Sequence, residues 1–375
     1  MKNKNKIAFF KTGPFSHTND SIYKLLQSSF SNYTIEVVDI WEEGLVNIKS
    51  IKNIYFSFLE YGFSIFKSKK HLIKALVSNT FIFNLVKEEI NKKYNKNDFI
   101  FTFQTQSLYD MSIKEVPNFM YTDHTFLVNE SYPGFTGHLL YSEKYIECEK
   151  SIYENATINF TMSNHVTYSI INDYQIDPKK VSCVYAGPNS IIENVDKISD
   201  ARYGAKNILF VGVNWERKGG PTLVKAFEKI LKTHPDANLT IVGCNPEIDV
   251  KNCNIVGKIP VTDVSKYYEK ASIFCLPTTL EPFGMVFVEA MTYKLPIVST
   301  RIGALPDFVE DGINGFLVEP EDSDTLAEKL TTLLNSSSQC KSFGEYSVHI
   351  VKNKYTWENV GKKIKNSILE SINLK

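Results

Sequence analysis

Short apolar runs alternate with longer amphipathic ones along this chain, and the alternation starts twice. Runs at residues 6–10, 33–40, 99–104, 118–122, 157–161 and 180–185 fit strands, with helix-like stretches at 20–30, 141–155 and 164–174. That rhythm is βαβ, and it calls for parallel strands buried between helices. It restarts at 208–213. Pro221 then sits where a helix would begin, and Leu223, Ala226, Phe227, Ile230 and Leu231 form an apolar stripe at helical spacing. Strands are expected at 238–242, 254–256, 272–276 and 296–299, and helices at 264–270, 285–293 and 324–334, the last capped by Ser323. Residues 357–374 read as a helix with Val360, Ile364, Ile368 and Ile372 on one face.

Two such arrays in 375 residues imply an α/β chain of two doubly wound, Rossmann-like domains. The polar stretch 189–206 suits a boundary, which gives a first domain over 1–195 and a second over 196–355. Open parallel sheets bind ligands beyond the carboxyl ends of their strands. Two of them facing each other would enclose a ligand in a cleft.

Charge removes several classes of function. Lys+Arg and Asp+Glu both number 42, which disfavours a basic nucleic-acid binder and an acidic disordered chain. The six cysteines show no CxxC spacing and read as reduced thiols rather than a zinc or dithiol site. The apolar run 7–10 is too short for a secretory signal, and no stretch has the length and apolarity of a membrane span. A cytoplasmic protein is expected.

The most informative segment is Glu281-Pro-Phe-Gly-Met-Val-Phe-Val-Glu289, which follows an expected strand and a short loop. Gly284 stands where a helix begins, and helix-start N–H groups attract phosphate. Glu281 and Glu289, on either side of that start, are suited to accept hydrogen bonds from sugar hydroxyls. A second segment, Phe210-Val-Gly-Val-Asn-Trp-Glu-Arg-Lys-Gly-Gly220, is a strand, a loop and a helix start carrying Arg217 and Lys218. Gln104-Thr105-Gln106-Ser107 follows another strand and offers amides for hydroxyl groups.

Glu281-Pro-Phe-Gly with Glu289, Ala290-Met291, Leu295-Pro296-Ile297-Val298, Gly303-Ala304-Leu305-Pro306-Asp307, Gly312, Asn314-Gly315 and Leu317-Val318 together resemble the donor site of GT4-family retaining glycosyltransferases, which have the GT-B fold. The likeness is strong from 207 to 330 and weaker in the first half. It implies retaining transfer from a nucleotide-diphosphate sugar (UDP-, GDP- or ADP-linked) with no essential metal and no further cofactor. It also implies a helix at 356–375 that packs back on the first domain. Lys218-Gly219 resembles the family's Lys-Gly, where the lysine neutralises the diphosphate. The family's usual arginine is replaced by Val213, which leaves Arg217 as the nearby second cation. The resemblance assigns Phe283, Gly284, Met285, Val286 and Glu289 to the donor, Glu289 to its ribose, and Gly257 and Lys258 to the base. His124, in Tyr121-Thr122-Asp123-His124, resembles the strand-end histidine that faces the donor sugar, with Asp123 as its orienter or as acceptor of the acceptor's proton. Many members have two glycines after the first strand; here Gly13 is followed by Pro14. Ala186 replaces an asparagine in the loop 186–189.

Between residues 49 and 93 nine lysines face three acids (Glu60, Glu88, Glu89), with eight aromatics interleaved. Such a surface suits anionic lipid, and equally a core-facing aromatic stripe with solvated lysines. The expected function is therefore a retaining hexosyltransferase acting on a glycan, lipid-linked or small-molecule hydroxyl acceptor, with peripheral contact to the inner face of a membrane through 49–93 and no nucleic-acid partner. A nucleotide-sugar hydrolase or epimerase of the same fold, or an inactive nucleotide-sugar- or glycan-binding protein, is the alternative.

Overall fold

The computed structural model describes residues 5–15, 18–44, 47–133, 135, 141–188 and 195–372. Its strands are β1 (Lys6–Lys11), β2 (Thr34–Asp39), β3 (Thr102–Thr105), β4 (Asn118–Thr122), β5 (Ile158–Thr161), β6 (Val181–Cys183), β7 (Asn207–Val211), β8 (Asn238–Val242), β9 (Cys253–Gly257), β10 (Ile273–Leu276), β11 (Ile297–Thr300) and β12 (Gly315–Val318). They form two six-stranded sheets, ordered β2-β1-β3-β4-β5-β6 and β12-β11-β10-β7-β8-β9. Every pairing within them is parallel. The twice-started rhythm of the sequence is these two sheets.

The helices are α1 (Thr18–Ser29), α2 (Ile51–Tyr61), α3 (Lys69–Val77), α4 (Thr80–Lys93), α5 (Glu143–Asn155), α6 (Asn164–Asn172), α7 (Gly220–Ile230), α8 (Ser265–Lys270), α9 (Met285–Thr292), α10 (Leu305–Phe308), α11 (Ser323–Leu334), α12 (Ser337–Lys354) and α13 (Trp357–Ile372). Most carry a side-chain cap predictable from their first residues: Ser142 accepts from Tyr145 N, Ser163 from Val166 N and Asn79 from Ile82 N. At α11 the cap is Asp322, not Ser323; its carboxylate accepts from both Asp324 N and Thr325 N, which a serine hydroxyl reaches less readily. Strand β12 and helices α2, α3, α4, α10 and α12 are not assigned as elements in the sequence reading.

The chain divides into two compact units. The first takes the described residues of Met1–Ser131, Phe135–Tyr185 and Trp357–Lys375, and the second those of Tyr132–Gly134 and Ala186–Thr356. The units part at Tyr185/Ala186, whereas the sequence suggested 195/196, beside residues 189–194 that lie outside the described ones. Helix α13 buries Val360, Gly361, Ile364 and Ile368 and packs on α1. Gly361 permits that approach, since an added Cβ would sit 3.3 Å from Leu25 Cγ.

In the first unit the central strands are buried on both faces, and aromatic rings fill the layer: Phe9 meets Phe103 edge-on at 6.3 Å, and Phe101 meets Phe119 at 5.5 Å. The second unit's central strands are fully buried at β10 (Ile-Phe-Cys-Leu) and β11 (Ile-Val-Ser-Thr). All six cysteines are free. Among the described residues no helix is long and apolar enough to cross a membrane.

Candidate functional site

In the second sheet β7 lies between β8 and β10, so the chain builds outward from β7 in both directions. The carboxyl ends of β7 and β10 are therefore the switch point, where neighbouring loops diverge and leave a crevice. The two loops are tied together. Arg217 O accepts from Thr279 N at 2.9 Å and from the Thr278 and Thr279 hydroxyls at 3.0 and 3.2 Å. In return Arg217 Nη1 donates to Leu280 O at 2.6 Å. Helix α7 opens at Gly219 with φ +74°, and a Cβ there would stand 1.8 Å from Pro277 O. Only glycine allows the start of α7 to touch the end of β10.

This contact places Lys218 against Glu281. The Lys218 ammonium donates to the Glu281 carboxylate, with the two residues 7% and 4% exposed. Burial draws the Lys218 pKa down, the Glu281 carboxylate opposes that shift, and the nearby Arg217 charge adds to it; the result is a lowered value. Glu281 O accepts from Tyr132 Oη at 3.1 Å. Gly284, at φ +99°, caps α9, and the half-buried Met285 and Val286 stand in its first turn, where N–H groups have no helical partner. Glu289 lies further along α9, 8% exposed; Tyr268 Oη donates to it at 3.1 Å, and burial lifts its pKa to about 7.

The remaining donor-side residues divide. Phe283 is 3% exposed and its ring packs on Phe308 at 5.1 Å, so its backbone is the part available to a ligand. Gly257 ends β9 at φ +76° and accepts from Gly243 N at 2.8 Å, while Lys258 beside it is exposed.

The first unit has its own switch point, between β1 and β3. Gly13 has φ +67°, and Asn19 Nδ2 donates to its carbonyl at 2.7 Å. Asn19 Oδ1 accepts from Thr105 Oγ1 at 2.7 Å, and Thr12 Oγ1 donates to Gln106 Oε1 at 2.9 Å. Gln104 is a correction. It is fully buried, donates to the carbonyls of Gln106 (3.3 Å) and Tyr109 (3.0 Å), and accepts from Met111 N at 3.1 Å. Its amide fastens the loop and is not offered to a ligand. Gln106, two residues on and half-buried, is the one at the rim.

His124 and Asp123 follow β4. Thr122 Oγ1 donates to His124 O at 2.8 Å and accepts from His124 N at 3.2 Å, which turns the chain sharply here. Burial of the ring pulls the His124 pKa down to about 4, so the imidazole is neutral near pH 7. The same loop hangs on Glu149 of α5, a residue the sequence reading missed. Its carboxylate accepts from Phe126 N (2.9 Å), Ser107 Oγ (2.6 Å), Tyr153 Oη (2.7 Å) and the Tyr174 hydroxyl. The signal was a lone acid in the stripe Tyr145, Glu149, Ile152, Tyr153, every other member of which is an apolar or aromatic core residue. Tyr268, Tyr132 and Pro277 were also missed; nothing local in the sequence marks them. Further along, a cavity of about 430 Å³ lies between residues 127–131 and α6, lined by Leu127, Glu130, His165, Tyr168 and Asp173 among others.

Residues 192–349 match the family model described as glycosyl transferases group 1. An uncharacterized glycosyltransferase of Haemophilus influenzae is 29% identical over 307 residues, which cover 78% of this chain and 76% of that protein. Several further curated relatives are matched over about half of their length. Among solved structures, sucrose-phosphate synthase from Thermosynechococcus elongatus aligns with a TM-score of 0.71 at 15% identity, over 99% of this chain and 100% of that one. HepE of Anabaena, solved with UDP and glucose, aligns with a TM-score of 0.67 at 14% identity, over 97% and 99%.

Proposed function

We propose that this chain, which belongs to the group 1 glycosyl transferases through residues 192–349 and has the GT-B fold, is a retaining enzyme that moves a hexose-type sugar from a nucleotide-diphosphate donor to a hydroxyl acceptor. The observation that carries the reading is the buried Lys218–Glu281 pair, set between two helix starts at the switch point of the second sheet.

The chemistry follows from charge. A departing nucleoside diphosphate gains negative charge, and Lys218, with the N–H groups opening α7 and α9, offers fixed positive charge to receive it. Arg217 adds to that field while its guanidinium holds Leu280 O. When the diphosphate takes over Lys218, the Glu281 carboxylate is released to accept hydrogen bonds from the sugar. Glu289 accepts from the ribose. The bond from the anomeric carbon to the diphosphate oxygen breaks, and the bond to the acceptor oxygen forms on the same face. The acceptor's proton leaves with the phosphate. His124, neutral near pH 7, is suited to hydrogen-bond the sugar rather than to carry charge. With these cations in place the reaction is proposed to need no metal, and activity should survive EDTA.

The cavity beside α6 supports an acceptor site on the first unit, because Glu130 and Asp173 can accept from hydroxyls and Tyr168 offers an aromatic face. HepE was solved with UDP and glucose, so a UDP-hexose is the first donor to try. The test is release of nucleoside diphosphate with and without a panel of acceptors. Release that depends on acceptor supports a transferase. Release without acceptor makes the protein a hydrolase, and tight binding without release makes it a binding protein.

A further inference from the structure

Helix α2 is inside out. A helix on a soluble protein turns its apolar face inward, yet the buried residues of α2 are Asn53 and Ser57. Ile51, Tyr55 and Leu59, successive turns on another face, are 87%, 57% and 58% exposed. A buried polar network explains the inversion. Asn53 Nδ2 donates to Ile48 O at 2.7 Å and Leu76 O at 2.8 Å, Asn79 Nδ2 donates to Asn53 Oδ1 at 2.8 Å, and Ser57 Oγ donates to Ala75 O at 3.1 Å. Hydrogen bonds, with the Phe56 ring stacked on Phe81 at 4.6 Å, hold α2 to α3 and α4, and the row Ile51, Tyr55 and Leu59 is left outside that packing.

The apolar row continues past the helix. In the turn Gly62–Phe66, Phe63 and Phe66 are 80% and 68% exposed, and their rings gather around Phe58 at 5.4 and 6.3 Å. Of the thirteen large apolar side chains that the described residues expose, eight lie between residues 51 and 73. Lys49, Lys52, Lys67, Lys69 and Lys70 are exposed in the same segment. The one acid between 47 and 87, Glu60, is turned inward: it accepts from Thr80 N at 2.8 Å and from the Ser142 hydroxyl. The patch is an apolar ridge flanked by cations and carries no exposed acid of its own; the exposed acid next to it is Glu143, which follows Ser142 at the start of α5.

We propose that this ridge docks on the surface of an anionic lipid bilayer, with Phe63, Phe66, Leu59 and Tyr55 entering the boundary between headgroups and acyl chains and the lysines meeting lipid phosphates. The charge selects lipid over a second copy of the chain. A two-fold contact through this ridge would set five lysines against the same five lysines, whereas an anionic leaflet neutralises them. The inference stands independently of the catalytic reading.

The test is flotation of the full chain with vesicles of phosphatidylcholine alone or phosphatidylcholine mixed with phosphatidylglycerol. The protein should float with the anionic vesicles only, and less as salt rises. Phe63→Ser and Phe66→Ser should each lower partitioning on the order of tenfold, and Lys67→Gln, Lys69→Gln and Lys70→Gln each about fivefold. All five side chains are exposed, so far-UV melting should be unchanged and will verify the fold. Binding to neither vesicle, equal binding to both, or a dimer in solution that Phe63→Ser abolishes would overturn the proposal.

Discussion

The two sheets are both six-stranded and wholly parallel, but they differ in strand order, with one strand beyond β1 in the first and two beyond β7 in the second. They differ also at their switch points. In the first, neutral groups bridge the ends of β1 and β3: Thr12 to Gln106, Asn19 to Gly13 and Thr105. In the second, the ends of β7 and β10 meet through a buried ion pair and a glycine that admits a carbonyl at contact distance. Two parallel sheets thus yield, between their central strands, a neutral hydrogen-bonded rim and a charged one; the first sheet's own ion pair, Lys11–Asp39, lies on the β2 side of β1. A buried pair contributes little net stability, since desolvation offsets the attraction. The charged rim is accordingly better explained by what it does to a ligand than by what it does for the fold.

The largest test of that contrast is Lys218→Met. Turnover should fall on the order of 10²–10³-fold, since one electrostatic partner of the leaving group is lost. The melting curve should also show a loss of about 3 kcal/mol or more, because Glu281 is left buried without its cation. Adding Glu281→Gln should restore much of the stability and none of the turnover. A Lys218→Met protein with wild-type turnover would erase the distinction between the rims.

The glycines give a second comparison. Gly219→Ala meets both positive φ and the Pro277 carbonyl, and should cost about 3 kcal/mol or more in a denaturant titration. Gly13→Ala meets positive φ, but its nearest neighbour is 3.9 Å away at Trp41. It should cost only about 1 kcal/mol. Equal losses would mean that the β7–β10 contact is not close.

Glu289 makes the charged rim sensitive to pH. Its carboxyl, raised to about 7, is ionised above that value and protonated below it. Nucleoside diphosphate affinity should therefore fall as pH drops below 7, by at most about tenfold per unit from this group. Stability of the unliganded protein should run the other way. The folded state keeps a proton that the unfolded state gives up, so stability declines as pH rises from the ordinary carboxyl range toward 7. Glu289→Gln should flatten the affinity trend, measured by calorimetric titration, and reduce the stability trend in thermal melts, of which Glu149, likewise raised to about 7 by burial, retains a part. The smallest effect belongs to the neutral rim: Thr12→Val should cost about 1 kcal/mol and leave donor affinity unchanged.

Most of this architecture was legible because buried parallel strands are apolar on both faces. The bounds of β4 and β8 coincide with their runs at 118–122 and 238–242. Strand β12 escaped because it begins at Gly315, a residue that reads as a turn; glycine is required there since a Cβ would lie 1.9 Å from Ile297 O. Helix α12 escaped because small and polar residues, Gly344 and Ser347, occupy its buried face. Lys218 and Glu281 could each be picked from their segments. Their pairing, across 63 residues, exists only once β7 and β10 are neighbours. Gln104 misled for the reverse reason, since a polar residue at a strand end reads as available even when the next turn consumes it.

The place of α13 in the first unit bears on how the protein is made. Synthesis runs from β1 through all strands of both sheets before Trp357 is reached, yet α1 packs on α13, with Leu25 against Gly361. The unit that leaves the ribosome first is thus the one finished last. Until then its α1 surface stays uncovered, while the second unit, continuous from Ala186 to Thr356 apart from Tyr132–Gly134, already has nearly all of its chain. A premature stop just before residue 357 would leave the second sheet whole and the first one bare along α1, and that bare face would be the mark by which a chaperone or protease sorts the incomplete chain.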